Sequence, residues 1–189
     1  TRVERGVEAI LNEFHENKKA DLTVAAMPVK ISKAANTYGV FVVDKNFKVI
    51  GFEEKPTKPT PIPGNKEYCL ASMGNYSFDP DVLLEELMED MQKASTDNMK
   101  DIKEDPYQYS SHDLAHDVIP NMLRKKKKIY VYDFLENKVP GMHSESKGFW
   151  RDIGDLDSFW KANMELRSKK SPLNLYNDDW SILTYEEAS

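Results

Sequence analysis

Residues 38–56 read YGVFVVDKNFKVIGFEEKP. Apolar and polar residues alternate on both sides of residues 44–46, Asp-Lys-Asn, as they do in two strands joined by a tight turn. The stretch therefore predicts a β-hairpin whose second strand ends in Glu54, Lys55 and Pro56. Because the strands of a hairpin are antiparallel, a sheet that contains this hairpin is not purely parallel.

The segments outside the hairpin alternate between helix and strand. Periodicity and capping residues predict helices in the opening segment, at 79–92, at 110–126 and after Asp155, and strands at 21–29, 69–78 and 128–134. Residues 149–154 predict a short extended piece, and the polar residues 93–109 predict a mobile surface insertion. Helices that alternate with strands, one pair of which is a hairpin, predict a layered α/β fold with a mixed sheet.

The composition is that of one globular domain with appendages. The chain has 189 residues, of which 40% are hydrophobic and 31% are charged. A formal net charge of -6 makes nucleic acid an unfavourable partner. The single cysteine, Cys69, cannot form an internal disulfide, and no apolar stretch resembles a signal peptide or a membrane span. These features predict a cytoplasmic protein that does not bind membranes.

The end of the hairpin is a candidate phosphate-binding position. Pro56 disfavours the helical region for Lys55, so we expect this lysine to be extended and to present a fixed ammonium group. Glu54 should point to the opposite face of the strand, where its carboxylate suits sugar hydroxyls or a partner cation. A stiff loop with four prolines follows, at residues 56–63. The alternative is that these residues are only a charged strand end before a loop.

Asp152, in the sequence WRDIG, is a candidate ligand for a divalent cation. A carboxylate next to a glycine at the end of an extended segment is a common arrangement around such ions. The alternative is that Asp152 pairs with Arg151 or caps the following turn. The sequence does not identify a second carboxylate for the ion.

His112 and His116 are four residues apart on the predicted helix, with Asp113 and Asp117 beside them. This spacing could place two imidazoles on one metal ion. A structural role is favoured, because no third ligand is evident and residues 110–111, two serines, resemble helix caps.

Residues 125–128 are four consecutive lysines. They could bind an anionic effector, although such a run is more often a solvated helix end that the helix dipole favours. The sequence contains no GxGxxG, P-loop, GxSxG or CxxC motif.

Seven segments, taken in order, resemble one enzyme family. They are TVAAMPV, YGVFVVD, GFEEKP, LASMGNYSF, SSHDLAHDVIP, FWRDIGDLDSFWKANMEL and LYNDDWSILTY. Their order and spacing resemble the ADP-glucose pyrophosphorylases, also called glucose-1-phosphate adenylyltransferases, within the sugar-1-phosphate nucleotidyltransferases. The resemblance implies a Rossmann-like mixed α/β sheet of the nucleotide-diphospho-sugar transferase type.

The resemblance also implies roles for five residues. Lys55 matches the lysine that binds the phosphate of glucose 1-phosphate, and Glu54 matches the residue that contacts the sugar. Gly39 and Ser72 match positions that line the same pocket. Asp152 matches an aspartate that helps to hold the catalytic Mg²⁺.

The implied reaction converts ATP and glucose 1-phosphate to ADP-glucose and pyrophosphate in glycogen or starch synthesis. Members of the family are usually allosteric tetramers. The glycine-rich loop GGxGTRL, which would bind ATP, and the second metal aspartate are absent from this sequence. We therefore expect residues 1–170 to be the sugar-phosphate part of a nucleotidyltransferase domain, and 171–189 to be a connector toward an absent β-helix domain.

On this interpretation the chain alone is expected to be inactive. Two alternatives stay open at the level of sequence. One is a non-catalytic, sugar-phosphate-binding regulatory subunit. The other is a nucleotidyltransferase of the same family that uses another nucleotide.

Overall fold

The computed structural model describes residues 7–137, 140–141, 148–168, 171 and 173–179. The chain divides into two compact units, one of residues 11–133 and one of residues 1–10 together with 134–189. Within the described ranges, no helix is long and apolar enough to cross a bilayer. Most of the predicted connector, and the chain before Val7, lie outside these ranges. The predicted boundary between 170 and 171 stays a prediction.

The strands are β1 (Leu22–Lys30), β2 (Val40–Val43), β3 (Val49–Glu53), β4 (Tyr68–Phe78), β5 (Ala94–Ser95), β6 (Tyr109–Ser110) and β7 (Ile129–Asp133). The α-helices are α1 (Val7–Lys18), α2 (Ile31–Ala34), α3 (Pro80–Asp90), α4 (Met99–Glu104), α5 (Ile119–Arg124) and α6 (Leu156–Leu166). A π-helical turn, Leu114–Val118, precedes α5, and a 3₁₀ turn, Phe134–Glu136, follows β7.

The main sheet has five strands in the order β3-β2-β4-β1-β7. Only the β1–β7 pair is parallel, and the other three pairs are antiparallel. The prediction of a mixed sheet, which rested on the hairpin, is confirmed. In that hairpin the Asp44 carboxylate accepts hydrogen bonds from the N–H groups of Asn46 and Lys48, at 2.8 and 3.0 Å. This side chain holds the turn that the sequence predicted.

Helices cover both faces of the sheet. On one face Leu22, Val24 and Ala26 of β1 pack in a buried apolar cluster with Ile119 and Met122 of α5. Because successive strand residues point to opposite faces, the residues between them meet α1 on the other face. There Thr23 Oγ1 lies 2.9 Å from Nδ1 of His15, and Tyr132 packs edge-on against Phe14. The result is a three-layered α/β unit.

Two helix caps confirm the sequence analysis. The Asp79 carboxylate accepts hydrogen bonds from the N–H groups of Asp81 and Val82 at the start of α3. The Asp155 carboxylate accepts the N–H of Ser158 at the start of α6. Both caps satisfy amide groups that have no partner within the helix itself.

Two predicted elements were wrong in detail. The segment 93–109 carries α4, β5 and the first residue of β6, which pairs with β5 in parallel, and it buries Ile102. Residues 110–126 form a π-helical turn followed by α5, and the cap is Asp113 rather than the serines at 110–111. Residues 149–154 belong to no helix or strand, and their predicted extended conformation stays a prediction. In the first two cases, a buried contact or a side-chain cap outweighs the weak periodicity of the segment.

Candidate functional site

The proline loop after β3 is tied back onto the strand. The carboxylate of Glu53 accepts hydrogen bonds from the backbone N–H and the hydroxyl of Thr60. Further along, the N–H of Ile62 donates to the carbonyl of Tyr68 at the start of β4. The loop therefore returns the chain directly to the sheet.

Lys55 does not have the predicted conformation. Its φ is +41°, in the left-handed region, so the backbone turns here instead of continuing as a strand. The turn places the carbonyl of Pro56 where it accepts the N–H of Asn36, at 3.0 Å. That tertiary contact, together with the Thr60 bonds to the strand end, outweighs the extended preference of a residue before proline.

The predicted directions of the two charged side chains are also wrong. β3 ends at Glu53, so Glu54 lies in the turn and not in the strand. Nζ of Lys55 is 3.7 Å from Oε1 of Glu54, so the two side chains lie together and not on opposite faces. The Lys55 side chain is 62% exposed, and its ammonium group is open to a ligand in solution.

Gly39 and Ser72 lie against this turn. A Cβ atom on Gly39 would be 2.6 Å from Cζ of Phe52 and 3.0 Å from Oε2 of Glu54. The N–H of Ser72 donates to the carbonyl of Gly39 at 2.8 Å, which joins β4 to the residue before β2. The structure thus brings together four of the five predicted site residues: Gly39, Glu54, Lys55 and Ser72.

Three residues that the sequence analysis did not assign to this site complete it. Tyr76 lies beside the side chain of Ser72, and burial raises the pKa of its phenol. His116 lies between two carboxylates, with Nδ1 at 3.0 Å from Oδ1 of Asp113 and Nε2 at 3.9 Å from Oε1 of Glu54. Strand alternation could have identified Tyr76, because it lies on the same face as Ser72, four residues away.

Asp113 is ionised in this arrangement. Burial opposes ionisation of its carboxyl, but hydrogen bonds from the backbone and ring of His116 and from the Ala115 N–H outweigh burial and lower the pKa. The site thus offers two carboxylates, Glu54 and Asp113, beside the exposed ammonium of Lys55. Carboxylates accept hydrogen bonds from hydroxyl groups and an ammonium pairs with phosphate, so the arrangement suits a phosphorylated sugar.

His112 and His116 do not form a metal site. His112 precedes the π-helical turn, and its Nδ1 lies 2.8 Å from Oδ2 of Asp90, away from His116 and its partners. Ser110 and Lys93 also contact the Asp90 carboxylate, at 2.8 and 3.3 Å. Among the residues that the structure describes, no group of three or more His, Cys, Asp or Glu could hold a metal ion. The geometry therefore supports a structural role, rather than metal binding, for His112 and His116.

The lysine run pairs with α3. Nζ of Lys125 lies 3.0 Å from the carboxylate of Glu86, whose side chain is fully buried, and it also contacts Glu89. Nζ of Lys127 lies 2.8 Å from the carboxylate of Glu85. These two lysines are therefore neither a free anion site nor a purely solvated helix end.

Asp152 belongs to the other unit. It is exposed, and its Oδ1 accepts the N–H of Gly154 at 3.2 Å. Arg151 pairs instead with Glu165, with Nε at 2.9 Å from the carboxylate. Of the two structural alternatives for Asp152, the geometry favours the turn cap over the pair with Arg151.

The sequence matches a known family over most of its length. Residues 4–169 match the family described as nucleotidyl transferase. The chain belongs to this family. The mixed sheet is consistent with the Rossmann-like fold that the resemblance implied for nucleotidyl transferases.

Three similar members of the family are all named glucose-1-phosphate adenylyltransferase. Over 179 residues the chain is 43% identical to a glucose-1-phosphate adenylyltransferase of Photobacterium profundum, covering 95% of this chain and 40% of that protein. It is 42% identical over 173 residues to glucose-1-phosphate adenylyltransferase 1 of Vibrio cholerae, and 40% identical over 174 residues to the enzyme of Anaeromyxobacter dehalogenans. Each of these two alignments covers 92% of this chain and 38% of the relative. The chain thus spans about two-fifths of the length of these nucleotidyl transferases.

Proposed function

We propose that this chain forms the glucose 1-phosphate side of an enzyme that converts ATP and glucose 1-phosphate to ADP-glucose and pyrophosphate. The observation that carries the proposal is the grouping of Gly39, Glu54, Lys55 and Ser72 in one place. The names of the relatives, which match 92% to 95% of this chain, support the choice of reaction. A cytoplasmic location, a tetrameric assembly and allosteric control belong to the same proposal.

Each residue in the group has a role in binding. The exposed ammonium of Lys55 pairs with the phosphate of glucose 1-phosphate. The carboxylates of Glu54 and Asp113 accept hydrogen bonds from sugar hydroxyls. Gly39 has no side chain, so the Glu54 carboxylate can lie against the backbone beside Ser72.

In the reaction, a phosphate oxygen of glucose 1-phosphate attacks the α-phosphorus of ATP. A new P–O bond forms, and the bond from the α-phosphorus to the oxygen bridging the α- and β-phosphates breaks. Pyrophosphate leaves with the electron pair of that bond. Lys55 orients the attacking phosphate and neutralises part of its charge, which reduces the repulsion between two anions.

Asp152 is the proposed ligand of Mg²⁺. Mg²⁺ in nucleotide sites is commonly held by one or two carboxylates together with substrate phosphates. Asp152 is exposed and uses one oxygen in the turn to Gly154, so its carboxylate retains acceptor capacity and fits this role. When bound, the ion would shield the charge of the triphosphate.

The proposal is tested by calorimetric titration of this chain with glucose 1-phosphate. We expect saturable binding that Lys55→Ala weakens by about 10- to 100-fold, because a charge-assisted hydrogen bond contributes roughly 1.5–3 kcal/mol. Lys58→Ala removes another exposed lysine of the same loop and should leave the affinity unchanged. Glucose 6-phosphate should bind more weakly than glucose 1-phosphate, and circular dichroism checks that each variant is folded.

If Lys55→Ala and Lys58→Ala weaken the affinity for glucose 1-phosphate equally, the assigned role of Lys55 is contradicted. Turnover of the complete protein with ATP, UTP and dTTP then tests the nucleotide. A preference for UTP or dTTP would favour another member of the family, and glucose 1-phosphate binding without any turnover would favour a regulatory subunit.

A further inference from the structure

The His116 ring reaches both of the carboxylates to which the proposed function assigns sugar hydroxyls. Its Nδ1 lies 3.0 Å from Oδ1 of Asp113, and its Nε2 lies 3.9 Å from Oε1 of Glu54. The side chains of His116 and Glu54 are 35% and 33% exposed, so both are accessible from solvent. The ring is therefore placed where it can respond to a ligand that binds Glu54.

The Asp113 carboxylate fixes which nitrogen of the His116 ring carries hydrogen. An ionised carboxylate only accepts hydrogen bonds, so Nδ1 is the donor to Asp113. The neutral ring then presents the lone pair of Nε2, and not an N–H group, toward Glu54. Two acceptors form no hydrogen bond, in agreement with the 3.9 Å between Nε2 and the carboxylate. A proton on Nε2 would make it a donor, and a shift of about 1 Å would complete the bond to Glu54.

The same Glu54 oxygen already faces another cation. Nζ of Lys55 lies 3.7 Å from Oε1, the atom that Nε2 of His116 approaches. In the proposed function Lys55 pairs with the phosphate of glucose 1-phosphate, which draws its ammonium group away from Glu54 and brings negative charge close to the ring. A carboxylate that loses its cation, together with an arriving anion, favours the charged form of a neighbouring imidazole.

We propose that His116 takes up a proton when glucose 1-phosphate binds, and that its imidazolium replaces Lys55 as the partner of Glu54. This inference rests on the proposed function and deepens it. His116 is a positioning residue, because it holds the Glu54 carboxylate for the sugar while Lys55 holds the phosphate. Histidine changes its charge between about pH 5 and 8, and the ligand favours the protonated ring. The contribution of His116 to affinity therefore increases as the pH falls through this range.

The other charged groups that the structure places around His116 keep their charge near pH 7. Burial raises the pKa of the Tyr76 phenol, which therefore stays neutral beside Asp113 and Glu54. Burial opposes ionisation of Asp113, but its hydrogen bonds outweigh burial and lower its pKa. On its other side the ring lines a cavity with four charged residues, Lys93, Lys103, Asp117 and Arg124. Lysine, arginine, aspartate and glutamate side chains ordinarily titrate well outside pH 6–8, so a proton taken up in this range is assigned to the ring.

Calorimetric titration of this chain with glucose 1-phosphate in buffers of different ionisation enthalpy counts the protons taken up on binding. The comparison is with His116→Gln, whose amide can donate near the position of Nε2 but cannot titrate. At pH 7 we expect the wild type to take up at least about 0.3 proton more per bound ligand than His116→Gln. Relative to that variant, the affinity of the wild type should then fall at least about twofold from pH 6.5 to pH 7.5. The ligand phosphate, with a second pKa of about 6, contributes equally to both proteins.

His112→Gln is the matched control. His112 is similarly exposed, at 37%, and it also lies beside an aspartate, but its ring binds Asp90 on α3 and not Glu54. This variant should take up as many protons as the wild type. Glu54→Gln removes the carboxylate that needs a cation, so it should lower the uptake to that of His116→Gln. Circular dichroism checks that each variant is folded.

The outcomes separate this inference from the proposed function. Equal proton uptake in the wild type and His116→Gln, with binding that still depends on Lys55, would overturn the inference alone. His116→Gln would give that result, with a weaker affinity, if His116 only stabilised the fold. Full uptake in Glu54→Gln would show that the proton does not serve Glu54 and would overturn the positioning role. If glucose 1-phosphate does not bind, or if Lys55→Ala binds it normally, the proposed function fails and the inference fails with it.

Discussion

The most direct test of the site geometry is Gly39→Ala. The φ of Gly39 is not in the left-handed region, so an alanine can adopt the backbone conformation. The obstacle is purely steric, because the added Cβ would be 2.6 Å from Cζ of Phe52 and 3.0 Å from Oε2 of Glu54. Carbon atoms in contact prefer separations of about 3.5–4.0 Å, so the Phe52 ring must move by about 1 Å.

Phe52 cannot move freely. Its ring packs against Phe41, with 4.9 Å between the ring centres, and Phe41 is 2% exposed in the main apolar cluster. Overpacking of this kind costs about 1–3 kcal/mol in free energy of unfolding. For a chain of this size, that corresponds to a Tm lower by roughly 3–10 °C. The Glu54 carboxylate must also shift, so we expect weaker binding of glucose 1-phosphate.

Gly51→Ala is the matched control, because it makes the same change in the same hairpin. The nearest atom to its added Cβ would be Cβ of Val42, at 3.5 Å, which is an ordinary contact. We expect a free energy of unfolding within about 0.5 kcal/mol of the wild type and unchanged ligand affinity. Urea denaturation and calorimetry measure both quantities. The reasoning is refuted if Gly39→Ala is no less stable than Gly51→Ala, or if it binds glucose 1-phosphate normally.

Three further predictions concern groups outside the site. Lys125→Ala removes a main partner of the buried Glu86 carboxylate and should cost about 3 kcal/mol in urea denaturation, whereas Lys126→Ala should cost less than about 0.5 kcal/mol. Burial disfavours the charged form of Asp90, but its hydrogen bonds outweigh burial and hold the pKa below the ordinary 3.8. Its contribution to stability is therefore complete above pH 3.8 and is lost as the pH falls through the lower native value, so Asp90→Asn should weaken the acid dependence of unfolding. Burial raises the pKa of the Cys69 thiol, and a thiol reagent should label the native protein at least about a hundredfold more slowly than the urea-unfolded chain.

Much of the fold could be predicted from local patterns. The hairpin at residues 38–56 follows from alternation and from an aspartate that holds its own turn. The caps at Asp79 and Asp155 follow from residues that satisfy the first amides of a helix. The mixed sheet follows in turn, because a hairpin next to helix–strand alternation requires both pairing directions. Each of these features depends on residues that are close in the chain.

The errors arose where distant contacts decide the conformation. Residues 93–109 have weak periodicity, yet burial of Ile102 and pairing of β5 with β6 give them regular structure. The pattern around His112 suggested one helix with two imidazoles on one face. A carboxylate from α3, Asp90, binds His112 instead and separates it from His116. No spacing rule within the segment contains that information.

The sequence by itself determined the order of helices and strands, the antiparallel hairpin and the family to which the chain belongs, because these depend on local periodicity and on residue identity. Only the tertiary structure decided the backbone conformation of Lys55 and the direction of its side chain. Its left-handed turn exists because the chain is tied at Pro56 to Asn36 and at Thr60 to Glu53. The structure also decided that Glu54 lies against Gly39, and that one oxygen of Asp117 is buried without a donor. These features depend on contacts between segments far apart in the chain, so they cannot be predicted from local propensity.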